Sequence, residues 1–262
     1  MWYNFYDLNL GSVFVYYVCG VTDKGAVCDI NEDSYLVGGI VMDHAQTECE
    51  LRAPFIAAVA DGVGGEDAGE IASRTTLTLL SSVRPTRRTD LCDKVMKIHR
   101  KVREVGLKTQ HGNMQSTLCA LCVIDEKTVY ALNAGDSRLY LFRDGRLRQI
   151  STDQSLVQML YEQGKLSMRE KNSHSGRNII FPVIGNVEED PTPVLTEIEG
   201  GIRFGDVVLI CSDGLSDYVP AGEIEEILSW PMRLSKRLRC LIDSAMDHGS
   251  KDNITAVGVF MK

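Results

Sequence analysis

A β-hairpin is predicted by the stretch Arg138-Leu-Tyr-Leu-Phe-Arg-Asp-Gly-Arg-Leu-Arg-Gln-Ile150. Its centre, Asp144-Gly145, is a dipeptide that favours the tight turn between two antiparallel strands. Upstream, the short connection Asp125–Lys127 joins the strand-like runs Thr117–Ile124 and Thr128–Asn133 in the same way. Because parallel strands need a much longer crossover, both connections force antiparallel pairing. The sequence therefore predicts antiparallel sheet in this part of the chain.

The remaining periodic segments place the chain in the α+β class. β-Branched and aromatic residues predict further strands at Asp33–Val41, Phe55–Ala60, Val207–Cys211 and Ile254–Met261. Apolar residues three or four positions apart predict helices at Ala68–Ser82, Asp90–Leu107, Ser155–Gln163, Gly222–Leu228 and Arg233–Met246. Runs of strands between amphipathic helices indicate α+β layers rather than a regular βαβ alternation. The segment Gly164–Gly205 is expected to be irregular.

No boundary divides the sequence. It contains no internal repeat, low-complexity tract or Pro/Gly/Ser-rich linker. We therefore expect residues 1–262 to form a single domain. Its first residues, 1–17, are rich in aromatic side chains and are expected to form an amino-terminal extension, an edge strand or a contact surface.

Composition and charge exclude several classes of function. The chain has 262 residues, 28 Lys and Arg against 36 Asp and Glu, and a formal net charge of −8, so it has no electrostatic attraction to nucleic acid. No apolar run approaches the ~20 residues that cross a bilayer. The segment Met1–Gly20 lacks the pattern of a secretory signal, so we expect a cytoplasmic protein with no membrane span.

The eight cysteines are too sparse for a disulfide framework. Cys119 and Cys122 form the one C-x-x-C pattern. In a strand, residues three apart point to opposite faces, so these two thiols are expected to pack in the core rather than to share a metal ion.

Acidic residues recur where predicted strands begin or end. Asp61 and Asp213 each follow an apolar strand, Asp252 precedes the last strand, and Asn31-Glu-Asp33 opens another. If these ends converge at one sheet edge, the carboxylates repel one another unless a cation neutralises them. Oxygen-only ligation selects hard divalent ions such as Mg²⁺ or Mn²⁺. The alternative is that each Asp-Gly is a turn with a solvated carboxylate, and spacing alone does not decide between the two.

Short motifs occur in a fixed order along nearly the whole chain. They are Gly20-Val-Thr-Asp-Lys-Gly25, Asn31-Glu-Asp-Ser34, Val59-Ala-Asp-Gly-Val-Gly-Gly65, Gly69-Glu-Ile-Ala-Ser73, Ser116-Thr117, Asn133-Ala-Gly-Asp-Ser-Arg-Leu-Tyr140, Thr152-Asp-Gln-Ser-Leu-Val157, Arg177-Asn178 before Gly185, Cys211-Ser-Asp-Gly-Leu-Ser-Asp217 and Lys251-Asp-Asn-Ile-Thr255. In this order they resemble the metal-dependent serine/threonine protein phosphatases of the type 2C (PPM) family, especially its bacterial branch. A single Asp-Gly-x-Gly-Gly would be weak evidence, whereas the ordered set is highly specific.

The resemblance implies both a fold and a set of metal ligands. The fold is expected to be a four-layer α-β-β-α sandwich of two antiparallel sheets flanked by helices, with a binuclear Mn²⁺ or Mg²⁺ centre at one end. By resemblance, Asp61 bridges both ions, and Asp213 and Asp252 bind one of them. Glu32 and the carbonyl of Gly62 are expected at the other ion.

The resemblance also implies the chemistry. Asp33 is expected to orient a water molecule from outside the ligand set, which makes Asp33, Asp61 and Asp213 the candidate catalytic residues. Asp136 resembles a ligand, shared with Asp213, of a weaker third ion. A phosphomonoester dianion resists attack by an anion, so two cations are needed to screen its charge and activate water. The implied substrates are phosphorylated proteins, and the implied partner is a cognate serine/threonine kinase.

One position departs from the family pattern. Cys28 stands where the family has an arginine that grips the substrate phosphate, and a neutral thiol cannot replace a bidentate guanidinium. This departure predicts one of three consequences: weak binding of the substrate phosphate, an arginine supplied from elsewhere such as Arg177, or unusual substrates. None of the cysteines begins a Cys-x₅-Arg motif, so a cysteinyl-phosphate mechanism is disfavoured.

Two alternatives stay open from the sequence. The first is a weakly active or inactive phosphatase-like domain that binds phosphoproteins as a regulator, for which Cys28 is the only positive sign. The second is a hydrolase of small phosphorylated molecules on the same scaffold. A binding module has no need to keep repelling carboxylates, so metal-dependent hydrolysis of phosphoserine and phosphothreonine is the preferred hypothesis.

Overall fold

Strands and helix pairs build the described part of the chain, residues 14–63 and 68–262 of a computed structural model. The strands are β1 (Tyr16–Asp23), β2 (Ser34–Val37), β3 (Ile40–Met42), β4 (Gln46–Leu51), β5 (Phe55–Ala60), β6 (Gly62–Val63), β7 (Gln115–Ser116), β8 (Leu118–Val123), β9 (Val129–Ala134), β10 (Arg138–Arg143), β11 (Arg146–Gln149), β12 (Val194–Glu197), β13 (Val207–Cys211) and β14 (Ile254–Met261). The helices are α1 (Gly69–Ser81), α2 (Leu91–Thr109), α3 (Leu156–Glu162), α4 (Met168–Ser173), α5 (Asp213–Ser216), α6 (Ala221–Ser229) and α7 (Leu234–Asp247).

Two six-stranded sheets lie face to face at the centre. The first has the strand order β11-β10-β13-β14-β1-β4, the second has β12-β9-β8-β5-β2-β3, and β6 pairs with β7 in a small third sheet. Every pairing is antiparallel. Helices α6 and α7 cover the outer face of the first sheet, and α1 and α2 cover that of the second. The α+β class and the four-layer α-β-β-α sandwich are thereby confirmed. No described helix is both long enough and apolar enough to cross a membrane.

The central strands, such as β5, β8 and β13, are apolar on both faces because each sheet is covered on both sides. In β13, Val208 and Ile210 pack between the sheets, whereas Leu209 packs under the helices of the first sheet. The same alternation separates Cys119, between the sheets, from Cys122, under the helices of the second sheet. The predicted core role of these two thiols is therefore confirmed.

The hairpin predicted at residues 138–150 is present as β10 and β11. Phe142 lies opposite Leu147, and the turn residues Asp144 and Gly145 have positive φ angles of 52° and 74°. Two positive φ angles in succession are the signature of the turn that Asp-Gly favours.

Two predicted segments need correction. Asp33–Val41 is not one strand but the hairpin β2–β3, because Gly38 and Gly39 adopt φ angles of 62° and 80° and reverse the chain. Gly164–Gly205 is not wholly irregular, since it contains α4 and the edge strand β12.

Strand β1 is absent from the sequence predictions and lies inside a sheet. It pairs with β14 on one side and with β4 on the other. Tyr16 and Tyr17 therefore do not lie in an edge strand, contrary to that interpretation of residues 1–17. Residues 1–13 of the proposed extension lie outside the described residues.

Candidate metal centre

The aspartates of the second sheet lie together at one end of the sandwich. Strands β2 and β5 pair so that Ser34 is opposite Ala60. Asp33 directly precedes β2 and Asp61 directly follows β5. Because the two strands are antiparallel, these residues lie side by side.

The first sheet brings its aspartates to the same end. Strands β13 and β14 pair with Cys211 opposite Ala256, so the two residues that follow β13 and the two that precede β14 are neighbours. Asp213 lies in the first of these pairs and Asp252 in the second. Asp61 lies within electrostatic reach of both, which shows that the strand ends of the two sheets converge.

Burial and mutual repulsion raise the pKa of these carboxyl groups. The pKa of Asp61 lies well above its usual range, and burial, which removes water from the carboxylate, is the largest cause. The negative charges of four other carboxylates raise it further: Asp33, Asp213, Asp252 and Asp136. Burial is also the main cause that raises the pKa of Asp33 to about 7 and that of Asp136 to about 6. A positive charge at this place would relieve the repulsion.

No ion pair of the described residues supplies such a charge. Within residues 14–63 and 68–262, the aspartates of this cluster and Glu32 form no ion pair with a lysine, arginine or histidine. Oδ1 of Asp33 and Oδ1 of Asp213 are buried without a hydrogen-bond partner. Buried, unpaired carboxylate oxygens are costly unless a cation holds them. Since the donors are all oxygens, the residues fit Mg²⁺ or Mn²⁺.

The cluster is not a closed cage. Among the side chains that the structure describes, no three or more His, Cys, Asp or Glu converge closely enough to hold a metal ion by themselves. Mg²⁺ keeps several of its water molecules and is often bound through only one or two carboxylates. The arrangement therefore suits hydrated ions rather than ions bound only by protein.

Glu32 is held against the start of α1. Its carbonyl accepts hydrogen bonds from Gly62 N at 3.2 Å and from the Ser73 hydroxyl at 2.6 Å. A Cβ at Gly69 would lie 2.9 Å from Cδ of Glu32, and a Cβ at Gly62 would lie 2.4 Å from the Gly69 main chain. Glycine at both positions allows the close approach that brings Glu32 and Gly62 together.

Asp33 is buried and oriented by hydroxyl groups. Its Oδ2 accepts a hydrogen bond from Ser212 Oγ at 2.7 Å, and the same hydroxyl accepts one from Thr255 N at 3.0 Å. Its other oxygen, Oδ1, has no partner. One fixed and one available oxygen suit a residue that holds a water molecule.

Asn253 adjoins an acidic motif in the sequence, which suggests hydrogen bonds around the ligands, and the structure shows which partners it has. Its Oδ1 accepts a hydrogen bond from Glu32 N at 2.7 Å, and its Nδ2 donates to the carbonyls of Lys24 and Ile30 at 2.9 and 3.0 Å. This one amide therefore joins the loop that carries Glu32 to the start of β14. Its sequence signal is its place directly after Asp252.

Cys28 lies beside the cluster but brings no positive charge. Its thiol donates to the carbonyl of Lys251 at 3.4 Å, and Nζ of Lys24 donates to the carbonyl of Cys28 itself at 3.2 Å. Burial raises the pKa of the thiol, and the negative charges of Asp252 and Glu32 raise it further. The thiol is therefore protonated at neutral pH.

A cavity of about 430 Å³ opens beside Asp136, and Arg177 is among its lining residues. Arg138 also lines it, but this guanidinium is occupied: Nε and Nη2 donate to Asp153 at 3.0 and 2.8 Å, and Nη2 reaches Asp217 at 3.2 Å. Arg177 is exposed and forms no ion pair with a side chain in the described ranges. The structure thus brings Arg177 to the side of the cluster where Asp136 lies.

Known proteins with similar sequences are phosphatases. The family model for Protein phosphatase 2C matches residues 30–158. The serine/threonine phosphatase stp of Listeria monocytogenes is 33% identical over 249 residues, which cover 90% of this chain and 92% of that protein. The serine/threonine protein phosphatase PstP of Mycobacterium tuberculosis is 32% identical over 90% of this chain and 43% of its own length.

Solved structures agree with the sequence comparison. The crystal structure of Mycobacterium tuberculosis PstP matches with a TM-score of 0.77 and 32% identity, over 94% of this chain and 98% of that chain. The catalytic domain of PstP in complex with 2 manganese ions matches with a TM-score of 0.75 and 30% identity, over 95% and 99%. The chain therefore belongs to the protein phosphatase 2C (PPM) family, in its bacterial branch.

Proposed function

We propose that this chain is a protein phosphatase that hydrolyses phosphoserine and phosphothreonine, with water as the nucleophile and two Mn²⁺ or Mg²⁺ ions as cofactor. The observation that carries the proposal is the buried aspartate cluster, in which Oδ1 of Asp33 and Oδ1 of Asp213 have no hydrogen-bond partner among the described residues. A binding domain gains nothing from buried carboxylates that repel one another, whereas a site for divalent cations requires them. Relatives named as serine/threonine phosphatases, over most of this chain, support the same activity.

Five residues would hold the two ions: Glu32, Asp61, Gly62 through its carbonyl, Asp213 and Asp252. Asp61 is the proposed bridging ligand because its motif resembles that of the family, and its position supports this role, since the charges of Asp33, Asp213 and Asp252 all act on it. When bound, the ions would screen the negative charge of the phosphate ester and make a water molecule more acidic.

Asp33, Asp61 and Asp213 are the proposed catalytic residues. Ser212 fixes Oδ2 of Asp33, which leaves Oδ1 to accept a hydrogen bond from the attacking water. Because the phosphoryl group passes directly to water, no side-chain nucleophile is needed. The raised pKa of the Cys28 thiol is consistent with this scheme, since a protonated thiol is a poor nucleophile.

Asp136, together with Asp213, would hold a third and weaker ion. Burial is the largest cause of the raised pKa of Asp213, and the negative charge of Asp136 is the second largest. The charges of the two carboxylates therefore act on each other, and a cation beside them would relieve that repulsion.

Arg177 is the proposed substitute for the arginine that Cys28 replaces. It is exposed at the cavity that Asp136 borders, while Arg138 in the same cavity is engaged by Asp153. A guanidinium in this place can contact phosphate through two parallel hydrogen bonds. If it does so, Arg177→Ala raises KM for a phosphopeptide more than it lowers kcat.

The proposed setting follows from the family and the charge. Residues 1–262 would act as a single catalytic domain in the cytoplasm, on phosphoproteins made by a cognate serine/threonine kinase. The net charge of −8 supports protein rather than nucleic-acid partners.

The test is hydrolysis of a phosphothreonine peptide by the purified chain, with Mn²⁺ and with EDTA. We expect turnover that requires Mn²⁺ and is abolished in Asp213→Asn. Asp243→Asn, the same change at an exposed position on α7, is the matched control and should keep full activity. Mn²⁺ binding without turnover would favour the regulatory phosphoprotein-binding domain. Hydrolysis of p-nitrophenyl phosphate without hydrolysis of any phosphopeptide would favour small-molecule substrates.

A further inference from the structure

The segments that carry Asp61 and Asp136 meet at one hydroxyl group, that of Thr117. Asp61 N donates to Thr117 Oγ1 at 3.0 Å, and Thr117 N donates to the Asp61 carbonyl at 2.8 Å. Thr117 Oγ1 also lies 2.8 Å from Oγ of Ser137, the residue that follows Asp136. Thr117 and Ser137 are each only 1% exposed, so bulk water does not replace these contacts.

The Thr117 hydroxyl accepts a hydrogen bond that a main-chain carbonyl accepts in a regular sheet. Strands β5 and β8 continue into β6 and β7 with Gly62 opposite Ser116, so Asp61 stands opposite Thr117 in the same register. In a regular pair of this kind, Asp61 N would donate to the Thr117 carbonyl. That carbonyl instead accepts from Ser116 Oγ at 2.8 Å, and Asp61 N donates to the threonine hydroxyl. The regular hydrogen-bond pattern of the sheet is therefore interrupted at Asp61, whose carboxylate belongs to the cluster.

Thr117 also packs against the turn that carries Asp136. Gly135 has a φ of +114°, and a Cβ there would lie 2.9 Å from both Cβ and Cγ2 of Thr117. The turn is therefore fixed to Thr117 in two ways, through the Ser137 hydroxyl and through direct contact at Gly135. Gln154 also holds this turn, through its hydrogen bonds with Gly135, but it is Thr117 that joins the turn to the main chain of Asp61.

We propose that Thr117 is a positioning residue of the metal centre: its hydroxyl sets the separation of Asp61 and Asp136, and so couples the two-ion site to the third ion. The inference rests on the proposed function because it requires ions at these carboxylates. A residue that only stabilised the sheet would lower the melting temperature when changed to valine but would leave the Mn²⁺ affinity of the folded chain unchanged. A residue that positions ligands acts through the hydroxyl, which serine keeps and valine lacks.

The test is calorimetric titration with Mn²⁺ of the wild-type chain and of three variants: Thr117→Val, Thr117→Ser and Ser137→Ala. Thermal unfolding in EDTA measures how much each change destabilises the fold. For Thr117→Val we expect tight Mn²⁺ binding to weaken by about 10-fold or more, because loss of a hydrogen-bond partner behind metal ligands typically costs about 10–100-fold. Thr117→Ser should bind Mn²⁺ within about twofold of wild type, since that hydrogen-bond partner is kept. Ser137→Ala removes the hydrogen bond between Thr117 and the turn that carries Asp136 and keeps the contact at Gly135, so the weakest phase of the titration should weaken and the tighter phases should not change.

Each outcome bears on the proposal. Wild-type Mn²⁺ affinity in Thr117→Val, or equal losses in Thr117→Ser and Thr117→Val, would overturn it, because the hydroxyl would then not be responsible. An unchanged weak phase in Ser137→Ala would overturn the coupling to Asp136. If the wild-type chain binds Mn²⁺ but hydrolyses no phosphopeptide, the proposed function fails while the role of Thr117 is still decided by the titrations. If the wild-type chain binds no Mn²⁺, both fail.

Discussion

Asp33 gives a quantitative prediction about the protein without metal. Burial is the largest cause that raises its pKa from the usual 3.8 to about 7, and the charges of Asp252 and Glu32 add to it. The hydroxyls of Ser212 and Thr255 act in the opposite direction. Because the pKa is higher in the folded than in the unfolded chain, the folded chain binds more protons between these two values. The Asp33 contribution to stability therefore falls as pH rises from about 4 to about 7.

The size of the effect follows from the same two values. A rise from 3.8 to about 7 corresponds to about 4 kcal/mol, at 1.36 kcal/mol for each pKa unit. Asp33→Asn removes the charge while an amide oxygen can still accept the Ser212 hydrogen bond. In EDTA, the free energy of unfolding of Asp33→Asn should exceed that of wild type by up to about 4 kcal/mol at pH 8. The difference should vanish near pH 4, where the wild-type carboxyl group is protonated.

The assay is urea unfolding followed by circular dichroism, in EDTA, at several pH values from 4 to 8. Asp243→Asn, exposed on α7, is the control and should show no such pH-dependent gain. With Mn²⁺ present the advantage of Asp33→Asn should shrink or reverse, because ions bound to the folded wild-type chain stabilise it. A variant no more stable than wild type at pH 8 in EDTA, or a gain that does not depend on pH, would refute the reasoning.

Three further outcomes are expected. Cys28→Arg supplies a permanent cation beside the cluster and should raise kcat/KM for phosphopeptides in steady-state assays; an unchanged value would mean that no phosphate clamp is missing. Arg138→Ala removes the guanidinium from buried Asp153 and leaves it a hydrogen bond from Gln149 at 2.7 Å and a longer contact to Lys171 at 3.4 Å, so urea unfolding should show a loss of about 3 kcal/mol. A loss below about 1 kcal/mol would mean that the pair behaves like a surface ion pair. Gly135→Ala places a methyl group 2.9 Å from a neighbouring side chain, whereas Gly39 has positive φ but nothing within 4 Å of such a methyl. Both variants should lower the melting temperature, but only Gly135→Ala should weaken Mn²⁺ binding in calorimetry; equal binding by both would contradict the contact argument.

Local patterns are sufficient for the elements that carry a strong signal of their own. Asp144-Gly145 predicts the β10–β11 hairpin because only a few dipeptides accept two positive φ angles in succession. The helices α1, α2 and α7 follow from apolar residues at helical spacing, and they cover the sheets as such amphipathic helices must. In these cases the information lies within a few neighbouring residues.

Strands β1 and β4 lack such a signal. Gly20 interrupts β1, and the sheet accepts it because the ring of Tyr35 fills the place of a side chain, with a Cβ at Gly20 only 2.4 Å from that ring. Strand β4, Gln46–Leu51, is polar and half exposed, and becomes a strand by pairing with β1. Both strands depend on partners distant in sequence, so tertiary pairing overrides their weak local preference.

The same distinction applies to the candidate site. The sequence by itself determined which carboxylates stand at strand ends, because strand, turn and Asp-Gly are local features. Only the tertiary structure decided what holds them in place: Thr117 contacts Asp61 across 56 positions of sequence, and Asn253 contacts Glu32 across 221. These hydrogen bonds depend on the register between strands and on which loops meet at the end of the sandwich. Between strands distant in sequence, register is set when whole sheets pack, and no short stretch of residues encodes it.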